Sequence, residues 1–301
     1  MATIKIKQVD AFTTTPFQGN PAGVVIEADG LTETQMQLIA REMNVSETAF
    51  ILSPSNKAAD LRIRWFTPQT EVPLCGHATI ASFHALTEEG KLGLNKEGVH
   101  TFRVETSSGI LPVTVIREKN ALPLIQFGLP VPRLQGIALD ELELASILGI
   151  SQEDIEHSLP YNQARRYLLF PIKHLTTLLQ LQVDFKRLVQ WSKAQGLDCV
   201  AVFTLETREP SSKVHLRFFT PALGIDEDPV TGSVQSPMAA YLFEQGIITT
   251  TNGFTSYIAE QGDAIGRPGR VRVTLEEKSG QITSIQIAGN AITVLDGVIK
   301  L

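Results

Sequence analysis

At 301 residues the chain is too long for one ordinary hydrophobic core and about right for two domains. It is 43% hydrophobic and 19% charged, the mix of a soluble globular protein. A net charge of −6, with no block rich in Lys or Arg, speaks against a nucleic-acid partner, because a duplex-binding surface needs clustered cations.

No apolar run is long enough for a membrane span, and the first residues lack an apolar signal core. A cytoplasmic protein is therefore expected, with Cys75 and Cys199 as free thiols. Residues 1–15 alternate apolar and polar side chains as a first strand would, and a second run covers 23–26. A helix is predicted over 32–43, with Thr32 and Gln35 placed for a capping box. Strands follow at 47–52 and 60–66, a helix at 78–86, and strands at 102–105 and 113–117.

The stretch Leu129-Pro130-Val131-Pro132 reads as a crossing between lobes. Beyond it, helices are predicted over 140–148, stopped by Gly149, and over 184–195, with an Asp cap and Gly196 as the stop. Strands at 199–205 and 214–219, a helix at 234–243, and strands at 271–275 and 282–288 complete the pattern. No long linker or low-complexity tract interrupts it, so the expected architecture is two α+β lobes in close contact.

The strongest signal is an internal repeat. Arg64-Trp65-Phe66-Thr67-Pro68 returns half a chain later as Arg217-Phe218-Phe219-Thr220-Pro221. Each copy runs through an acidic stretch into a glycine and then a helical segment, Cys75-Gly76-His77 in one and Thr231-Gly232-Ser233 in the other. One long period indicates duplicated domains, since solenoid repeats are shorter.

Metal and nucleotide motifs are missing: there is no CxxC, HExxH, Walker loop or GxGxxG. The six histidines are scattered, which argues against a pre-assembled zinc site, and no cofactor is expected. What remains are side chains and helix ends. Gly76-His77 and Gly232-Ser233 open the two repeated helices, and a helix N-terminus offers unpaired N–H groups to a carboxylate or oxyanion. The alternative is that the glycines only shape tight turns and Ser233 only caps a helix.

Asp228, in an acidic run before Pro229, is a candidate for substrate binding or proton transfer, and equally a solvated turn. Glu47 enters an apolar strand, where burial raises a carboxyl toward the range of a general acid or base; the plainer alternative is a surface Glu. Asn20 reads first as a turn residue that can also hydrogen-bond a substrate. The segment containing Glu260-Gln261-Gly262 and Gly266-Arg267-Pro268 reads as a loop, Arg64 and Arg217 as structural anchors for carboxylates, and the remaining histidines as surface or core residues.

Taken together, VDAFTTTPFQGNPAG, NVSETAF, RWFTPQTEVPLCGHAT, RFFTPALGIDEDPVTGS and EQGDAIGRPGR resemble the phenazine-biosynthesis PhzF-like family, in the family's order, from about Val9 to Arg270. The resemblance implies the diaminopimelate-epimerase-like α+β fold: two pseudo-symmetric lobes, each a curled, mostly antiparallel sheet around a central helix. It further implies a homodimer, an active site between the lobes, and isomerisation without metal or cofactor of a small anionic substrate. Glu47 would carry the proton, with His77 and Asp228 assisting, and Asn20, Ser233 and the backbone at Gly76 and Gly232 would hold the substrate. On the same analogy, the N-terminal lobe comprises 1–118 with about 291–301, and the C-terminal lobe 119–290.

Related epimerases place a cysteine beside each glycine as acid and base. Here Cys75 precedes Gly76, but Thr231 precedes Gly232, which disfavours a two-thiol mechanism. An amino-acid racemase using Cys75 and a non-catalytic small-molecule-binding protein remain the alternatives to a Glu47 isomerase.

Overall fold

The structure, a computed structural model, describes residues 3–164 and 167–301. In chain order the first elements are β1 (Thr3–Ala11), β2 (Asn20–Val25), α1 (Glu33–Met43), β3 (Glu47–Leu52), β4 (Leu61–Phe66), β5 (Glu71–Val72), α2 (Gly76–Glu88), β6 (Gly98–Thr106), β7 (Gly109–Arg117) and β8 (Leu124–Leu129). Next come β9 (Gln135–Gly136), α3 (Glu141–Leu148), β10 (Asn162–Ala164), β11 (Tyr167–Pro171), α4 (Leu175–Gln180), α5 (Phe185–Gln195), β12 (Cys199–Thr204) and β13 (Ser212–Thr220). The chain ends with β14 (Ile225–Asp228), α6 (Gln235–Glu244), β15 (Phe254–Gln261), β16 (Gly269–Lys278), β17 (Gln281–Gly289) and β18 (Ala291–Lys300). It divides into two compact units, Met1–Gly128 with Ala288–Leu301, and Leu129–Ile287.

The first boundary lies ten residues beyond the expected 118/119, because β8 pairs antiparallel with β7, Val113 facing Phe127 and Ile116 facing Leu124. The proline-containing stretch begins at the boundary itself. The second boundary, at 287/288 against the expected 290/291, precedes β18, which pairs with β1 from Thr3↔Lys300 to Ala11↔Ala291.

Local chemistry accounts for the capped helices. Thr32 and Gln35 form the reciprocal capping box of α1, whose Met36, Ile39 and Ala40 recur at helical spacing on its buried side. Asp140 and Asp184 each accept an N–H of their helix's first turn, and Gly149 and Gly196 take the left-handed conformation at the ends.

The central helices are built differently. Every residue of α2 from His77 to Thr87 is buried, and in α6 so is every residue from Gln235 to Leu242. A helix buried all round belongs in a core, and its polar side chains must then find partners there. In α2 the hydroxyls of Thr79, Ser82 and Thr87 donate to carbonyls one turn back, at 2.6, 2.7 and 2.7 Å, which satisfies them without water.

The duplication extends beyond the repeated motif. In the first unit, β2–β3 is parallel, β3–β4 antiparallel, β4–β6 parallel and β6–β7 antiparallel. In the second, β11–β12, β12–β13, β13–β15 and β15–β16 repeat that sequence of orientations. Each Arg grips a Glu on the following strand with two bonds: Arg64 to Glu71 at 2.7 and 2.6 Å, and Arg217 to Glu227 at 2.9 and 2.6 Å. Each guanidinium also lies over the Phe two residues on, 5.0 Å from the Phe66 ring and 5.1 Å from that of Phe219. The anchoring role expected for the two arginines is thus realised in the same geometry twice.

Candidate active site

In the first unit, β2, β3 and the start of α2 bring four polar groups together. Asn20 begins β2 and Glu47 begins β3, two parallel strands in which Ala22 faces Glu47. Gly23 allows this close approach, since a Cβ there would lie 2.7 Å from the Thr48 hydroxyl oxygen. Cys75 is the N-cap of α2, and His77 is its second residue.

The His77 imidazole is the hub. Its Nδ1 lies 3.2 Å from Asn20 Nδ2 and 3.4 Å from Cys75 Sγ, and its Nε2 lies 3.3 Å from Glu47 Oε2. Burial depresses the His77 pKa to about 3, so the ring is neutral and carries one proton. An Asn20 NH₂ donating to Nδ1 leaves that proton on Nε2, where it donates to the Glu47 carboxylate. The Glu47 side chain keeps 15% exposure, against 7% for that of His77.

Two expectations change here. Asn20 is a fully buried strand residue, because Pro21 and Ala22 continue β2 against β1, where Asn20 itself faces Ala11. Glu47 is a withdrawn carboxyl held by an imidazole, not a surface residue. Histidine scatter also gave no hint that Glu47, Cys75 and His77 present candidate ligand atoms within 4.8 Å of one another. That cluster contains a single histidine, so histidine spacing carries no trace of it.

Gly76 is the first residue of α2, and no side chain caps the turn that follows. Among the described residues no helix is long and apolar enough to cross a membrane.

The corresponding corner of the second unit is built from Asp228, Thr231, Ser233, Gln261 and Tyr167. Thr231 donates its hydroxyl to Asp228 in a short hydrogen bond. Gln261 Nε2 donates to the Asp228 carbonyl at 2.7 Å and to Thr231 Oγ1 at 3.2 Å, while its Oε1 accepts the Thr231 N–H at 2.9 Å. Ser233 is exposed, its Oγ 3.4 Å from the Tyr167 hydroxyl.

Gly232 and Ser233 do not open α6, which starts at Gln235 behind a Gly232–Gln235 turn. A helix starting at Gly232 would need an N–H at Pro237 to reach the Ser233 carbonyl, and proline has none. The later start puts Pro237 in the first turn, where no such bond is required. Ser233 therefore caps nothing.

Gln261 was not among the expected site residues, because the Glu260–Gly262 segment has the composition of a loop. β15 in fact runs through Gln261, and Gly262 turns the chain at φ +87°, where a Cβ would lie 2.7 Å from the Pro229 carbonyl oxygen. The chain signal, a glycine straight after Gln, is present but mimics flexibility. His215, also assigned no role, is fully buried with Nδ1 2.8 Å from Glu260.

Residues 9–297 match the family of phenazine biosynthesis-like proteins, PhzC-PhzF. An uncharacterised isomerase of Clostridium acetobutylicum is 37% identical over 98% of this chain and 97% of its own. The trans-2,3-dihydro-3-hydroxyanthranilate isomerase of Pseudomonas chlororaphis is 32% identical over 97% of this chain and 98% of its own. Among solved structures, a PhzF-family protein of Bacillus anthracis superposes with a TM-score of 0.89 at 33% identity, each chain covered in full. A hydroxyproline epimerase of Agrobacterium vitis, 13% identical over 99% of this chain and 92% of its own, shares the fold at a TM-score of 0.63.

The fold is the sheet-rich α+β type of the epimerases, and the enzyme is an isomerase. The chain belongs to the PhzC-PhzF family of phenazine biosynthesis-like proteins.

Proposed function

We propose that this isomerase moves a proton between two carbons of a small carboxylated substrate, with Glu47 as the single acid/base. The supporting observation is the Glu47–His77 pair, a nearly buried carboxyl beside an imidazole that burial keeps neutral. Glu47 takes the proton from one carbon, the electron pair moves into the substrate's conjugated system, and the same carboxyl returns the proton to the second carbon. His77 Nε2–H holds the carboxyl group in place. Asn20 fixes the ring, and hence the tautomer on which this depends.

The uncapped first turn at Gly76 suits the substrate's carboxylate. We propose Asp228, Ser233 and the Gly232 backbone as further substrate-positioning groups of the same reaction. A homodimer, a cytoplasmic location and an anionic substrate without nucleic-acid or membrane partner belong to the same reading. The Pseudomonas relative's named substrate, a dihydro-hydroxyanthranilate, sets the class to try first: cyclic, unsaturated carboxylates carrying a hydroxyl or amine.

The test is solvent-deuterium incorporation into a panel of such carboxylates, which detects proton transfer whatever the product. Glu47→Gln is expected to keep ligand binding and lose about 10²- to 10⁴-fold in exchange. A racemase built on Cys75 makes the opposite demand: Cys75→Ser abolishes exchange and Glu47→Gln spares it. That outcome, or exchange in no member of the panel, overturns the proposal.

A further inference from the structure

The corner of the second unit is held more tightly than a turn requires. Gln261 ends β15 almost fully buried, and its amide bonds three atoms of the segment from Asp228 to Thr231. Two of these are backbone groups whose roles cannot reverse. The Thr231 N–H only donates, so the amide oxygen accepts it at 2.9 Å. The Asp228 carbonyl only accepts, so the amide nitrogen donates to it at 2.7 Å. Together they fix which end of the amide is which.

The second Nε2 hydrogen then points to Thr231 Oγ1, at 3.2 Å. A hydroxyl that accepts there has one hydrogen left to give, and it goes to Asp228 Oδ2. The Asp228 carboxyl, half-buried at the end of β14, is thereby made to present an acceptor. The Thr231 carbonyl accepts Gln235 Nε2 at 3.4 Å, so two buried glutamines hold all three polar groups of Thr231.

The repeat separates this clamp from the needs of the fold. Arg62 faces Glu105 and His215 faces Glu260, each pair two residues before the repeated arginine. Glu105 and Glu260 therefore correspond. Both accept two backbone N–H groups of a loop, Ser55 and Asn56 in one unit, Arg208 and Glu209 in the other. The next residue differs. Thr106 turns its hydroxyl to the Gly109 carbonyl at 2.8 Å within its own hairpin, whereas Gln261 reaches across to Thr231. The same strand end forms without a glutamine in the first unit, so the clamp serves Asp228 and not the strand.

We propose that Gln261 is a positioning residue: through the Thr231 hydroxyl it holds Asp228 as an acceptor, and so selects substrates bearing an N–H or O–H donor. The proposal rests on the reading of Asp228 as a substrate-positioning group. It adds a preference that a helix start cannot supply, since the N–H groups there attract anions. A hydrogen bond to a carboxylate is expected to be worth about 10- to 100-fold in affinity.

The experiment measures binding by calorimetry with benzoate, 2-aminobenzoate and 3-hydroxybenzoate, which share a ring and a carboxylate and differ in the donor. Wild type is expected to bind at least one donor-bearing probe about 10- to 100-fold more tightly than benzoate. Thr231→Val removes the hydroxyl and should compress that ratio below about threefold, with benzoate affinity unchanged. Gln261→Met should do the same, and Thr231→Ser, which keeps the hydroxyl, should keep the ratio. Thermal melts confirm folding, and Thr231→Val, which strands no backbone group, carries the test if Gln261→Met does not fold.

A wild type that prefers neither donor-bearing probe overturns the proposal. So does a Thr231→Val protein that keeps the full ratio, a Thr231→Ser protein that loses it, or a loss shared equally by benzoate. Deuterium exchange is read separately. The expected ratios in a protein that exchanges no substrate support the positioning role while removing the isomerisation proposal, and exchange with unaltered ratios does the reverse.

Discussion

Glu260→Gln probes a fully buried, multiply bonded carboxylate of the second unit. Glu260 is fully buried on β15 and accepts the backbone N–H of Arg208, that of Glu209, and His215 Nδ1, each at 2.8 Å. Burial alone would raise its pKa, but the bonds from His215 and from the Arg208 and Glu209 backbone prevail and hold it at about 2, below the ordinary 4.5. A difference of that size corresponds to about 3 kcal/mol of folding stability at neutral pH.

Glutamine cannot supply the charge and turns an NH₂ toward donors, stranding at least one at a further cost of about 1–2 kcal/mol. The expected loss at pH 7 is therefore about 3–5 kcal/mol. The sign follows from the depressed folded-state pKa: the stabilisation is present above 4.5 and fades as pH falls toward 2, so variant and wild type converge in acid. Each unit holds one tryptophan, Trp65 in the first and Trp191 in the second. Urea unfolding followed by Trp191 fluorescence in a Trp65→Phe background thus reads the second unit. A gap below about 1 kcal/mol at pH 7, or one that stays constant down to pH 3, contradicts an ionised, hydrogen-bonded Glu260.

Gly23→Ala should destabilise by about 1–3 kcal/mol, since its Cβ would meet Thr48 Oγ1 at 2.7 Å and Cγ2 at 2.9 Å, beside Glu47. Thermal melts would register it, and deuterium exchange should fall with it. Thr32→Ala removes the capping box of α1 and should cost about 1 kcal/mol in the same melts with exchange unchanged. His77→Gln should make the protein less acid-sensitive. Unfolded chains protonate this histidine below about 6.5, whereas the folded ring resists until about 3, so wild type loses stability as pH falls through that window. A variant with the same urea midpoint against pH as wild type would contradict the buried neutral ring.

Much of the fold was legible because local chemistry agreed with the final structure. The capping box at Thr32 and Gln35, the Asp caps at 140 and 184, and the glycine stops at 149 and 196 each act within one turn of helix. Such signals need no tertiary partner. The repeated Arg-x-Phe segment was readable for the same reason, since both copies solve one local problem, an Arg–Glu clamp across a tight hairpin.

Illegible features depended on distant parts of the chain. Asn20, Glu47 and Cys75 meet His77 only because β2, β3 and α2 pack together, and no spacing records that packing. Gln261 enters the second corner by bonding Thr231, thirty residues away. Pro237 was visible, yet its bearing on the start of α6 emerges only once the helix is asked where each N–H would bond.

The strand registers carry the repeat into the chemistry. Phe66 faces Thr48 and Phe219 faces Val200, so Glu47 and Cys199 occupy the same place, each at the start of its strand. Cys75 and Thr231 correspond likewise, each one residue before its glycine. In the first unit these two places hold a carboxyl against an imidazole and a thiol beside the same ring. In the second they hold a buried thiol and a hydroxyl that gives its proton to Asp228 while accepting from Gln261. A hydroxyl bonded in both directions is a structural strut, and it lacks the basicity to draw a proton from carbon. Two opposed thiols, one beside each glycine, would need cysteines at both of the second pair of places, and there Thr231 stands opposite Cys75. Such a divergence is compatible with a single acid/base that both removes and returns the proton, the role proposed above for Glu47.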